Sequence, residues 1–156
     1  MFRREHVAAF SLAMASIHCT TVENGPIPDP TTGLDETAFR AKVEPILVKQ
    51  CSYNACHGNT GSALRIYAPG TLRQLAYPTI DETMAPLTAE EEHANFVNAA
   101  AFSATAPIVD DNWLLRKPLA SSAGGFEHKG GVIYLRGTND PNYTVIYCWL
   151  TGGKAC

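Results

Sequence analysis

Residues 51–57 read Cys-Ser-Tyr-Asn-Ala-Cys-His, and no other stretch of the chain restricts its fold as much. On an unbroken helix of 3.6 residues per turn, positions five apart point roughly 140° away from each other. One ligand can meet both thiols only if Ser52 to Ala55 loop out, and Asn54 tolerates such a turn. Three chemistries use this set of side chains. Covalent haem attachment needs two thiols to add to two vinyl groups, and an imidazole close enough to reach the iron from the same side; the usual spacer is two residues, and here it is four. A local Cys51–Cys56 disulfide is the second use, in an oxidising compartment. A zinc site built from Cys51, Cys56, His57 and a fourth group is the third. The disulfide leaves the adjacent imidazole without a role, and zinc needs another ligand, so haem is favoured among the three.

The rest of the chain bounds the setting. With 156 residues there is room for one domain and a tail. A net charge of −3 with no basic stripe argues against nucleic-acid binding, and no polybasic cluster points to a membrane surface. Twelve glycines and ten prolines predict much loop. Arg3, Arg4 and His6 followed by the apolar run Val7 to Ile17 read as an export signal over residues 1–19, too short to span a bilayer. Cleavage near Ala15-Ser16 and lipidation at Cys19 are the two ways of processing it, the second giving membrane attachment; His18 fits a lipidation signal poorly. Residues 20–33 are polar, carry three prolines and predict a tether. The folded unit is then 34–156, in a protein expected in the periplasm or on the outer surface of a bacterium.

The pattern in that unit is helical. Asp35 caps a helix to about Lys49 with Phe39, Val43, Ile46 and Leu47 on one face, leading straight into Cys51. Gly58 to Gly70 predicts loop, with an extended piece at Leu64 to Tyr67, and Thr71 to Tyr77 predicts a brief helix. Thr88-Ala-Glu-Glu91 is a capping box that opens a helix to about Phe102, with Phe96, Val97, Ala100 and Ala101 inward. Trp113 to Pro118 predicts a turn or two of helix. Asp140-Pro141 opens a last helix carrying Val145, Ile146, Trp149 and Leu150, and Gly152-Gly153 ends it. Val132 to Leu135 is the one candidate strand. The fold class expected is a small, loop-rich, mainly α domain.

The segment Val43-Glu-Pro-Ile-Leu-Val-Lys-Gln-Cys51, with Cys56-His57-Gly58 and Ala63-Leu-Arg-Ile-Tyr67, resembles the attachment segment of exported cytochrome c domains of planctomycete and myxobacterial type. Trp113-Leu-Leu-Arg-Lys-Pro118, Glu127-His-Lys-Gly-Gly131 and Asp140-Pro-Asn-Tyr143 running to Cys148-Trp149-Leu150 resemble the C-terminal run of the same family. The resemblance covers about residues 36–153, with a divergent middle. It implies a cytochrome c-like helical domain around one covalent haem c, an electron carrier and not an enzyme, with redox proteins as partners.

A second axial ligand is expected on the iron. His128 lies in a glycine-rich loop (Gly124, Gly125, Gly130, Gly131) shortly before the final helix, where glycines let backbone approach a porphyrin closely and where the resembled family often places a histidine. Met84, in Thr-Met-Ala-Pro, is the alternative, but it precedes the capped helix at Thr88. Bis-His ligation implies a lower potential than Met ligation. An open sixth site would instead imply a haem-based sensor or peroxidase-like domain, and a Cys51–Cys56 disulfide a non-haem interaction module. His93 shares a helix face with Phe96 and is expected to be a half-buried core histidine.

Gly152-Gly153 lets the chain double back, so Cys148 and Cys156 are expected to form a disulfide, against a free buried Cys148. Asp81-Glu82, Glu90-Glu91-Glu92 and Asp110-Asp111 are expected to be solvated, and Trp113 and Trp149 to pack in the core or on a haem. No phosphate loop, nucleophile elbow or zinc-protease helix is present.

Overall fold

The structure, a computed structural model, describes residues 29–74, 79–103, 108–129 and 137–153. Asp35 starts the first helical run: its carboxylate accepts a hydrogen bond from the Ala38 N–H at 3.0 Å. The run comprises α1 (Glu36–Ala38), a π-helical turn (Phe39–Val43) and α2 (Glu44–Cys51) without interruption. At 3.6 residues per turn, side chains four apart drift by about 40° per step. The wide π turn, in which the Glu44 N–H reaches back to the Phe39 carbonyl, underwinds the helix and offsets that drift. Phe39, Val43, Leu47 and Cys51 therefore all stay on the buried side. Ile46 is only half-buried.

The α4 helix (Ala89–Ser103) begins at the capping box. The Thr88 N–H donates to Glu91 at 3.0 Å, and the Glu91 N–H donates to the Thr88 hydroxyl at 3.3 Å. Its inward stripe is Glu91, Asn95, Phe96, Ala99 and Ala100. Ala101 is exposed, contrary to expectation: one further residue of helix rotation carries it off the stripe. The polar residues Glu91 and Asn95 hold the inward positions because each is matched by hydrogen bonds. Glu91 meets Arg73 in an ion pair whose two side chains are 1% exposed. Arg73 also donates to the carbonyls of Thr83, Ala85 and Pro86, which ties α3 (Ile80–Thr83) and the approach to α4 onto this pair. So Glu91 is not a solvated acid, whereas Asp81, Glu82, Asp110 and Asp111 are exposed.

Asn95 takes the place of a strand neighbour. It accepts from the Tyr67 N–H at 2.7 Å and donates to the Tyr67 carbonyl at 3.0 Å and to Glu44 at 2.8 Å. The segment around Leu64 to Tyr67 is thereby held without a sheet. His93 is not in the core; it is exposed and bonds Glu36 at 3.1 Å.

Asn112 caps α5 (Trp113–Arg116) by accepting from the Leu114 N–H at 2.9 Å. Asp140 caps α6 (Pro141–Leu150), with Pro141 in its first turn, and Gly152 and Gly153 follow with φ of 62° and 76°. Three rings join the first helical run, α4 and α6. Phe39 lies 5.7 Å from Phe96 and 5.1 Å from Trp149, centre to centre, and the Trp149 indole N–H donates to the Asp35 carbonyl at 3.0 Å. Burying side chains of this size stabilises by about 1.5–3 kcal/mol each.

Among the described residues the regular elements are all helical and none is a strand. Residues 71–74 are not helical, and the candidate strand at 132–135 lies outside the described residues. Residues 29–33, at the end of the expected tether, form a turn in which Asp29 accepts from the Thr31 N–H at 2.9 Å. No helix among the described residues is long and apolar enough to cross a membrane.

Candidate functional site

The α2 helix stops at Cys51, where Ser52 turns its hydroxyl back to the Val48 carbonyl at 2.6 Å. Residues 52–55 then loop out. The Tyr53 carbonyl accepts from the Cys56 N–H at 2.7 Å and from the Gly58 N–H at 3.0 Å, and the Cys51 carbonyl accepts from the His57 N–H at 3.1 Å. Gly58 sits so close to this turn that a Cβ there would lie 2.0 Å from the Ser52 carbonyl oxygen. The loop brings Cys51, Cys56 and His57 onto the wall of one cavity of about 740 Å³. That size lies in the range of roughly 300–1,000 Å³ usual for organic ligands. Cys51 and Cys56 are not joined to each other by a disulfide.

The orientation of His57 is fixed from behind. Its Nδ1 lies 2.7 Å from the Leu64 carbonyl oxygen and 3.0 Å from the Ser62 hydroxyl, which itself donates to Leu64 O at 2.8 Å. A carbonyl only accepts, so Nδ1 carries the ring proton. In the neutral ring Nε2 then keeps the lone pair with which an imidazole binds a metal. The Ile66 N–H donates to the His57 carbonyl at 2.8 Å, holding the backbone of this supporting segment as well.

His128 lines the same cavity from a different segment. After α5 and a 3₁₀ turn (Ser121–Ala123), Gly124 adopts φ 92° and the chain reverses. Gly125 lies so close to the earlier chain that a Cβ would come 1.9 Å from the Leu119 carbonyl oxygen. Gly124 thus supplies the left-handed turn and Gly125 the close chain-to-chain approach. Gly130 and Gly131 lie outside the described residues. Arg116 clamps the reversal: Nε and Nη2 donate to the Gly124 carbonyl at 3.0 and 2.7 Å, and Nη1 pairs with Asp111 at 2.7 Å. The Arg116 guanidinium lies 4.2 Å from the Phe126 ring centre, and its carbonyl accepts from the Phe126 N–H at 2.9 Å.

The His57 and His128 rings are 5.9 Å apart, centre to centre, with planes 17° from parallel. Two imidazoles bound through nitrogen to opposite sides of one metal ion, at about 2 Å each, have ring centres roughly 6 Å apart. Burial first, then the nearby charges of His57 and Lys117, hold His128 below the ordinary histidine pKa and favour the ring with a lone pair to offer. Leu47, Leu64, Phe102, Leu114 and Ile146 supply apolar wall. Trp113 lines the cavity while remaining 46% exposed, whereas Trp149 is in the core.

The remaining candidates lie elsewhere. Met84 does not line the cavity; it is exposed, and its sulfur lies 3.0 Å from where a Cβ on Gly70 would stand. Cys148 is disulfide-bonded; Cys156 and Cys19 lie outside the described residues. Sequence reasoning missed Ser62, the Leu64 carbonyl, Arg116 and Lys117. The first two act through a turn geometry that leaves no spacing signal, and the last two sit inside a motif that was read as a whole. Comparison of the chain with known protein families, with curated proteins and with solved structures finds no match.

Proposed function

We propose that the chain is a monohaem c-type cytochrome with a cytochrome c-like fold that carries single electrons outside the cytoplasm. Cys51 and Cys56 would hold the haem covalently, and His57 and His128 would hold its iron. The observation that carries this reading is the His57–His128 pair: two imidazole rings 5.9 Å apart, centre to centre, on the wall of a cavity that also holds both thiols. The donor set fits the group. When bound, the haem supplies reversible one-electron chemistry, with a potential lowered by bis-His ligation relative to Met ligation.

The chain's own residues then have defined tasks. The loop at 52–55 brings both thiols to one ligand. Leu64 and Ser62 keep the proton on Nδ1 of His57, and Arg116 fixes the segment that presents His128. The apolar wall excludes water, and exposed Trp113 marks where the cavity opens towards a redox partner. Export belongs to the same reading, with signal cleavage near Ala15-Ser16 or lipid attachment at Cys19 as its two forms, on the strength of the first nineteen residues.

The test is expression in a bacterium with c-type assembly machinery, followed by intact mass and the reduced absorbance spectrum. One covalent haem is expected, held by at most one thioether in Cys51→Ala or Cys56→Ala and lost after a chaotropic wash when both substitutions are combined. A chain that matures without haem refutes the proposal. Ready carbon monoxide binding by the unmodified ferrous protein would move the reading to a sensor or peroxidase-like domain.

A further inference from the structure

The ligand set leaves part of the cavity wall unused. Lys117, Glu127 and Lys129 line it near the imidazoles; Glu127 and Lys129 are exposed and Lys117 is half-buried. Lys117 follows α5 directly. Its ammonium lies 5.4 Å from the Trp113 ring centre and 5.9 Å from that of Phe126. Both distances are within the roughly 6 Å reach of a cation–π contact. Ring faces favour a cation without supplying a counter-charge. Among the described residues no carboxylate lies in ion-pair range of Lys117, and the neighbouring Asp111 is taken by Arg116. A half-buried ammonium on the wall of a mostly apolar cavity is stabilised by an anion that shares its surroundings.

We propose that Lys117, held between Trp113 and Phe126, is the seat for a carboxylate carried by the molecule that fills the cavity. The proposal rests on the haem reading, under which that carboxylate is one of the two haem propionates. The attachment at Cys51 and Cys56 fixes which way round the haem lies, and Lys117 then meets one propionate and not the other. Lys117 also neutralises a charge at the opening beside Trp113.

The experiment uses the full chain matured with haem carrying ¹³C-labelled propionates. Infrared bands of the labelled carboxylates are followed from about pH 3 to about pH 9 in the wild type, Lys117→Gln and Lys117→Arg. The other titratable groups near the same wall are His57, His128, Glu127, Lys129 and the Asp111-bound Arg116, and all are left unchanged. One propionate is expected to ionise at lower pH than the other in the wild type. Lys117→Gln should raise that ionisation by about one to three pH units, the shift an opposite charge in contact produces, and Lys117→Arg should keep it low. Haem-loaded Lys117→Gln with both ionisations unmoved overturns the seat and leaves the haem reading standing. A wild type whose mass shows no covalent haem overturns the haem reading and the seat with it.

Discussion

Replacing Gly58 by alanine places a Cβ 2.0 Å from the Ser52 carbonyl oxygen, 2.9 Å from its carbon and 3.1 Å from the Tyr53 carbonyl carbon. Carbon–oxygen contacts in proteins sit no closer than about 3.3 Å even when favourable, so the turn must open by more than about 1 Å. Ser52 is buried and its hydroxyl is tied to Val48, so it has little freedom to retreat. Movement on the Gly58 side stretches the bonds from the Gly58 N–H to Tyr53 and from the His57 N–H to Cys51. Overpacking of this kind costs about 1–3 kcal/mol and each lost hydrogen bond about 1 kcal/mol. The expected loss is about 2–5 kcal/mol. Urea unfolding followed by far-ultraviolet circular dichroism measures it, with Gly137→Ala as control because nothing lies within 4 Å of a Cβ there. If Gly58→Ala unfolds within about 0.5 kcal/mol of the wild type, as an ordinary surface change does, the described packing of residues 52–58 is wrong.

Glu91→Gln leaves the Arg73 guanidinium buried without its carboxylate and should cost about 3–5 kcal/mol in the same unfolding assay. Burial pushes the Glu91 carboxyl up, but hydrogen bonds from Arg73, Thr88 and Gln74 more than offset this and hold it below its ordinary value of 4.5. Its contribution is therefore full above pH 4.5 and lost as pH falls towards the folded-state pKa, so the acid limb of the stability curve should flatten in Glu91→Gln. For His128 the folded-state pKa lies below 6.5, so the unfolded chain takes up the proton first. Stability of the haem-free form should fall as pH drops from 6.5 towards that lower value, and His128→Ala should remove this slope. Arg116→Met cuts both bonds to the Gly124 carbonyl and the pair with Asp111. If that clamp presents His128 to the iron, ferrous Arg116→Met should bind carbon monoxide at least ten-fold more tightly, an effect of about 1.4 kcal/mol; unchanged affinity contradicts it.

What the sequence shows well is what depends on neighbours close along the chain. Asp35, Thr88 and Asp140 cap their helices by accepting from amides two or three residues on, and each is visible as a short pattern. The interruption after Cys51 is legible for the same reason, since two cysteines five positions apart are incompatible with one helix face. The misreadings arise where the partner is far along the chain. Glu91 looks like a surface acid until Arg73, eighteen positions earlier, is placed against it. His93, expected on the core face, turns out to face Glu36 from fifty-seven positions away. At the cavity, Cys51, Cys56 and His57 are named by the motif and its spacing, and His128 by its glycine-rich loop and the family resemblance. Arg116 and Ser62, which hold the imidazoles in place, carry no pattern of their own, because their effect comes from a turn that exists only in three dimensions.

The π turn at Phe39–Val43 gives this arrangement an unusual dependence on chain length. An i→i+5 turn holds one residue more than an i→i+4 turn, so deleting a single residue from those five would let the run close into ordinary α-helix with Glu44–Cys51 in nearly its present orientation. The same deletion inside α2 would turn Cys51 by about 100° and take its thiol off the cavity wall. The direction of the first thiol thus tolerates a lost residue in the π turn and not in the helix that follows it.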